Sequence, residues 1–470
     1  MRKMKDSGIE WIGEIPEDWE VLPFRHVLQE RNERNNPVVS EERLSLSIER
    51  GVTLYADKTT NLDRFKDDFA QYKLAYIGDL VMNSMNMIVG ATGVSKWFGC
   101  VSPVYYTFYD NDIEHTTAKF CEYIFRSKTM LRVLHSFGKG IYSIDRGDDK
   151  INTCRLKVAK SDLKNIKIPI PQISEQKLII QLLDKKCSEI DSVISKTRET
   201  IEEYKKLKQS IITEVVTGKV KIENGKVCGK YDTYKDSGVE WIGEIPSEWE
   251  VKPIKALFSF GKGLPITKDN LTETGLSVIS YGQIHSKDNI GTEIRNELIR
   301  YVDKIYYETN PQSLVHKGDF IFADTSEDLT GCGNFVYVNR EKDLFAGYHT
   351  IILFSKEKND NKYLAYLFQT DCWRRQIRCC CSGVKLFSIS RRILGSTNLI
   401  LPSILEQQQI SDFLDKKCSE IDKLITKKEQ LVVELEAYKK SLIYEVVTGK
   451  RGVRGDEKET KKDFRYKYTF

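Results

Sequence analysis

The sequence predicts a mixed α/β (α+β) protein in which two domains are joined by two long, antiparallel coiled-coil helices with pseudo-two-fold internal symmetry. Three observations carry this reading. Short segments recur at a fixed offset in the two halves of the chain. The stretches between them match in length but not in sequence. Each half closes on a long run, such as 175–217, that contains neither Pro nor Gly.

The repeat is read first because it decides the architecture. Residues 5–24 are KDSGIEWIGEIPEDWEVLPF, and residues 235–254 are KDSGVEWIGEIPSEWEVKPI. DKKCSEID occurs at 184–191 and at 415–422, and EVVTGK at 214–219 and at 445–450. Each half is therefore an aromatic leader, a divergent middle (about 25–163 and 255–394) and a repeated terminal segment. Matching ends imply a shared scaffold or partner, and divergent middles imply two different ligands. The boundaries that follow are a first domain at 1–163 with its leader, a helix at 164–219, a linker at 220–234, a second domain at 235–394, a second helix at 395–450 and a mobile tail at 451–470.

In the terminal segments the apolar positions Leu183, Cys187, Ile190, Ile194, Ile201, Tyr204, Ile211 and Val215 step by fours and threes, with Thr197 and Lys208 filling two slots. That heptad is the signature of a coiled-coil seam. The second copy gives Leu414, Cys418, Ile421, Ile425, Val432, Leu435, Leu442 and Val446, with Lys428 and Lys439 in the same polar slots. Pro171 and Pro402 precede the helices, and Ser174 is the expected N-cap of the first. Gly218 and Gly449 are the expected stops. At ~1.5 Å per residue each helix is roughly 60 Å long, too long to bury against a domain whose radius of gyration is about 15 Å.

The middles read as short strands between turns: Leu80-Val-Met and Val104–Tyr109 in the first, and Phe320-Ile-Phe, Phe335–Val338 and Ile351–Phe354 in the second. Gly78-Asp79-Leu80-Val81 matches Gly318-Asp319-Phe320-Ile321, which suggests one fold carrying two surfaces. Basic and aromatic residues mix near the end of each middle, as Lys139, Tyr142, Arg146 and Lys150, and as Lys385, Phe387, Arg391 and Arg392. Such mixtures suit phosphate contact and base-edge reading, although a solvated charged face has the same composition.

Composition excludes several classes. A chain of 470 residues with 40% hydrophobic and 30% charged residues is an ordinary globular one. A net charge of +5 permits nucleic-acid binding without requiring it. The start, MRKMKDS, lacks a signal-peptide apolar region, and no run is long enough to span a bilayer, so a cytoplasmic protein without membrane contact is expected. The 11 cysteines form no Cys-x-x-Cys pair and read as reduced thiols. No Walker A or His-Glu-x-x-His pattern occurs, and Asn310-Pro-Gln-Ser lacks the second Pro and the aromatic of an adenine-methyltransferase motif.

Taken together, the repeated Trp11-Ile-Gly-Glu-Ile-Pro…Trp19 and Trp241-Ile-Gly-Glu-Ile-Pro…Trp249, the Ile168-Pro-Ile-Pro…Glu175-Gln176 and Leu401-Pro402…Glu406-Gln407 segments, and the Glu-Val-Val-Thr-Gly helix ends resemble the specificity subunits of type I restriction–modification systems over nearly the whole chain. The resemblance implies a non-catalytic subunit that binds an asymmetric, bipartite double-stranded DNA target, each middle being a target recognition domain for one half. Lys96, Lys139, Tyr142, Arg146, Lys150, Lys262, Lys385, Arg391 and Arg392 are the candidate DNA contacts within these domains. Glu175, Gln176, Ile190, Ile194, Glu406, Gln407, Ile421 and Ile425 are implied as scaffold or partner contacts. Two methylation subunits and two restriction subunits would be the partners. S-adenosylmethionine, ATP and Mg2+ would belong to those partners, with no cofactor or metal in this chain. Coiled-coil length would set the spacer between half-sites about one DNA turn, ~34 Å, apart. The competing reading is a coiled-coil adaptor with two protein-binding domains, which predicts no sequence preference and little loss of binding with salt.

Overall fold

The computed structural model describes residues 2–57, 68–112, 114–141, 155–356, 359–383 and 386–453. The chain divides into two units, Met1–Arg198 with Gln430–Phe470 (unit 1) and Glu199–Glu429 (unit 2). The long helices run from Ile173 to Val216 and from Ile404 to Val447. Each unit thus holds one half of each helix, and the sequence repeat is out of phase with the structural unit. The end of the first helix belongs to unit 2, and the end of the second belongs to unit 1.

Within unit 1, Ile190 and Ile194 share a buried cluster with Val432, Leu435, Leu442 and Val446. Asp191 pairs with Lys439 at 2.6 Å and Arg198 with Glu436 at 2.8 Å, so numbers rise along one helix as they fall along the other. The pairing is antiparallel. Within unit 2, Ile201 packs on Ile421 and Ile425, and Lys208 pairs with Asp422 at 2.7 Å. Lys208 and Lys439, the polar slots of the heptad, reach past the seam to a carboxylate on the opposite helix. Because Lys208 and Asp422 both remain in contact with water, a double-mutant cycle on the pair should return less than ~1 kcal/mol. A coupling well above that value would show that the pair is desolvated.

The helix stops follow the sequence. Gly218 and Gly449 both take φ +71°. The N–H groups of Gly218 and Lys219 donate to the carbonyls of Val215 and Glu214, which closes a Schellman motif. The start differs from expectation. Ser174 lies inside the first helix, and in the second copy the Glu406 N–H donates to Ser403 Oγ at 3.3 Å. Residue 403 corresponds to Gln172, so the cap position is two residues earlier than Ser174 and carries a capping hydroxyl only in the second copy.

Both middles are built on the same four-stranded antiparallel sheet. In unit 1 the order across the sheet is Gln29–Arg31, Tyr105–Tyr109, Leu80–Asn83, Thr92–Val94; in unit 2 it is Phe258–Lys262, Thr350–Ser355, Phe320–Ala323, Phe335–Tyr337. The Gly-Asp correspondence sits at the same place in each. Asp79 Oδ2 accepts the Tyr76 N–H at 2.9 Å, and Asp319 Oδ2 accepts the His316 N–H at 2.8 Å, closing the turn before the strand that starts at Leu80 or Phe320. Burial pushes both carboxyls above their ordinary range.

The cores bury the apolar faces of these sheets. Phe24 lies edge-on between Phe108 and Phe125, both with centroids 4.8 Å away, in unit 1. Phe320, Phe322, Phe335, Phe368 and Trp373 form the aromatic centre of unit 2. The 220–234 segment, expected as a linker, holds a hairpin of Lys221–Glu223 and Lys226–Gly229. Asn224 and Gly225 turn it with positive φ, the geometry that an Asn-Gly pair favours. The described cysteines are all unbridged. Among the described residues no helix is long and apolar enough to cross a membrane. The expected tail lies outside the described residues from 454 onward.

Candidate nucleic-acid interface

One end of the unit 2 sheet gathers loops from five stretches of sequence. The Asp324 N–H donates to His349 O at 3.1 Å, and the Ile389 N–H donates to Asp324 O at 2.7 Å. Thr325 pairs with Ser388, Lys262 lies opposite Ile351, and the Tyr281 N–H donates to Tyr348 O. Glycine permits the closest of these approaches: a Cβ on Gly263 would lie 1.9 Å from Gly347 O and 2.2 Å from Thr350 Oγ1. The sheet thus brings 262–264, 281–285, 324–334, 347–350 and 388–392 to one edge.

A directional hydrogen-bond chain supports this edge from below. The Arg374 guanidinium donates through Nε to Phe368 O at 2.8 Å and through Nη1 to Asn334 Oδ1 at 2.7 Å. Asn334 Nδ2 lies 3.0 Å from His285 Nδ1, and His285 Nε2 lies 2.8 Å from Thr325 O. A carbonyl only accepts and an amide NH2 only donates, so the proton of His285 sits on Nε2 and the ring is neutral. Burial pushes Arg374 down to about 10. Among the described residues its hydrogen-bond acceptors, Phe368 O and Asn334 Oδ1, are neutral oxygens, not a carboxylate.

In unit 1 the corresponding edge is marked by the Val158 N–H donating to Ser84 O at 3.0 Å, the equivalent of Ile389 to Asp324. The hairpin strands Gly138–Ile141 and Arg155–Val158 rise from it. Lys139 is exposed on this hairpin, 3.4 Å from Asp162. Tyr142, Arg146 and Lys150 fall between its strands and lie outside the described residues, as does Lys385 in unit 2. Below the hairpin, Glu30 takes Lys164 at 2.7 Å and also Lys160. Burial pushes its carboxyl up, but the two ammonium groups outweigh that and hold it below the ordinary range.

The structure brings Lys262, Arg391 and Arg392 to the edge in unit 2 and Lys139 to the matching edge in unit 1. It does not bring Lys96 there. Lys96 follows the strand Thr92–Val94, whose Val94 pairs with Leu80, at the Gly78-Asp79 end of the sheet and away from Ser84. Sequence reasoning missed Tyr281, Asp324, Tyr348 and His349 at this edge. Their one local signal is the left-handed φ of +54° at His349, which no residue pattern announces.

The candidate scaffold residues are internal. Trp19 Nε1 donates to Glu175 Oε2 at 3.0 Å, and Arg2 bonds the same carboxylate, so Glu175 ties the leader to the helix start. In the second copy Tyr231 OH takes this role on Glu406, and the buried Trp249 Nε1 has no partner among the described residues. Gln176 and Gln407 are buried and donate back to Pro171 O and Pro402 O at 2.9 and 3.0 Å. Ile190, Ile194, Ile421 and Ile425 are buried in the seams. These eight residues hold the fold together.

A family model described as the type I restriction modification DNA specificity domain matches residues 246–434. A putative type I restriction enzyme MjaX specificity subunit from Methanocaldococcus jannaschii is 36% identical over 464 residues, covering 94% of this chain and 96% of that protein. The type I restriction enzyme MjaVIII specificity subunit of the same organism is 26% identical over 301 residues, 63% of this chain. That match spans 65% of the relative, just under two thirds of its length. A solved structure, described as the structural basis underlying complex assembly and conformational transition of the type I R-M system, superposes with a TM-score of 0.66. The match is 14% identical and covers 93% of this chain and 99% of that one, a likeness of fold.

Proposed function

Because the chain belongs to the type I restriction enzyme specificity subunits, we propose that it binds an asymmetric, bipartite DNA target, one half per unit, and itself performs no chemistry. In this reading it directs two adenine-methylation subunits and two ATP-dependent restriction subunits to that target. S-adenosylmethionine, ATP and Mg2+ act in those partners. The observation that carries the reading is the reuse of one four-stranded framework with the same strand order under two dissimilar sets of edge loops. A shared framework keeps the reading geometry, and dissimilar loops change what is read. Exposed Lys139, Lys262, Arg391 and Arg392 supply phosphate contacts at the two edges.

The test is an exchange of residues 25–163 for another recognition domain, with methylated adenines mapped in cells that also carry the methylation subunit. One half of the motif should change and the other should stay. A change in both halves would overturn modular reading. Affinity for the target should also fall by orders of magnitude as salt rises from about 50 to 200 mM, whereas the adaptor reading predicts no sequence preference and a flat salt response.

A further inference from the structure

We propose that Tyr348 and His349, backed by Tyr281, read base edges in the half-site bound by unit 2, and that His349 Nε2 accepts a hydrogen bond from the exocyclic amine of an adenine or cytosine in the major groove. The inference rests on the DNA-recognition reading above and goes beyond it by naming the reading residues and the chemical group they read.

His349 stands in the connection between the strands Leu344–Ala346 and Thr350–Ser355 with φ +54°, and it is exposed. For a residue with a Cβ that backbone is uncommon and strained, and glycine would take it without cost. The connection already contains a glycine, Gly347, two residues earlier. A strained backbone that keeps an outward imidazole, held by surrounding structure, is an outlier of the kind that gathers at ligand-contact sites.

The imidazole is oriented. Asp324 is bonded to His349 twice, through its N–H to His349 O at 3.1 Å and through Oδ1 at 3.3 Å from Nδ1. A carboxylate only accepts, so Nδ1 carries a proton, and in the neutral tautomer with its proton there Nε2 is an acceptor. In the major groove the donors are the N6 amine of adenine and the N4 amine of cytosine. Tyr281 lies edge-to-face with both Tyr348 and His349, centroids 5.6 and 5.4 Å away, and so fences the ring on one side. The Arg374–Asn334–His285–Thr325 chain fixes the residue next to Asp324, which gives the reading group a rigid base. Lys262, Arg391 and Arg392 flank the same edge, and among the described residues their cationic groups have no carboxylate partner. Oriented acceptor, aromatic wall and flanking cations together are what a duplex needs: one group for the base edge and several for phosphates.

The experiment uses the full chain with its methylation subunit and maps methylated adenines for wild type, His349→Ala, Tyr348→Ala and His349→Asn. Asparagine tolerates the left-handed backbone and keeps the variant set informative if alanine unfolds the unit. The expected result is a motif whose first half is intact and whose second half loses preference at one or two positions by about tenfold or more. Variant motifs identical to wild type would overturn the inference while leaving DNA recognition standing. Absence of any split motif with the wild-type chain, soluble and bound to its partner, would overturn the parent reading and the inference with it.

Discussion

Gly218→Ala should destabilise unit 2 by roughly 2–5 kcal/mol, the sum of a left-handed backbone penalty of ~1–2 kcal/mol and an overpacking cost of ~1–3 kcal/mol. Gly218 has φ +71°, and a Cβ there would lie 2.3 Å from Pro246 Cδ and 3.3 Å from the Trp249 ring. The leader of the second repeat is seated directly on the end of the first helix, so the methyl group has no room unless the leader lifts. Gly449→Ala should do the same to unit 1, where the Cβ would lie 2.3 Å from Pro16 Cδ and 3.3 Å from Trp19. Gly225→Ala separates the two contributions. It has the same φ of +71° with nothing within 4 Å of the added carbon, so it should cost only the backbone part. Urea unfolding followed by tryptophan fluorescence reads all three. Equal midpoints for Gly218→Ala and Gly225→Ala would show that the leader gives way without cost.

Asn334→Leu should destabilise unit 2 by about 3 kcal/mol. The amide is the middle of the Arg374–Asn334–His285 chain. Leucine of similar size removes both hydrogen bonds and leaves a half-buried guanidinium and the half-buried His285 Nδ1 each short of one partner. A buried neutral group left unsatisfied costs ~1–3 kcal/mol, and a charged one costs more. Arg374→Met in the Asn334→Leu background takes the stranded charge away and should recover part of the loss. Strict additivity of the two substitutions in denaturant unfolding would show that the chain is not one coupled network.

Much of this architecture was legible. The heptads marked the seams because period and burial coincide. Leu183, Ile190, Leu414, Leu435 and Val446 are all buried where the spacing puts them. The glycine stops and the Gly-Asp turn were readable because each requires a particular residue type. The phase of the structure was not. Nothing local in 184–191 says that its partner is Lys439, a residue of the other repeat. The cap was misread at Ser174 because a hydroxyl two residues late in the first copy looks better than the polar Gln172 that occupies the cap position. Asn224-Gly225 was a missed hairpin signal inside what reads as a linker. Of the site, exposed cations were legible as a class. Tyr281, Asp324 and His349 were not, because sheet pairing rather than sequence proximity brings residues from 262 to 392 together.

The out-of-phase division of the helices also bears on how such a gene can change by recombination. Each helix half is completed by the opposite half of the other copy, as Asp191 is by Lys439 and Lys208 by Asp422. A crossover that exchanges only a middle, with breakpoints in the leader and before the helix, brings in a new reading surface and leaves both seams as they were. A crossover that carries a helix along alters half of the seam in each unit at once, and both must then be repaired. Inheritance of new loops is therefore cheap and inheritance of new helices is not, which is sufficient reason for two copies of one helix to stay alike while the sequences between their leaders drift apart.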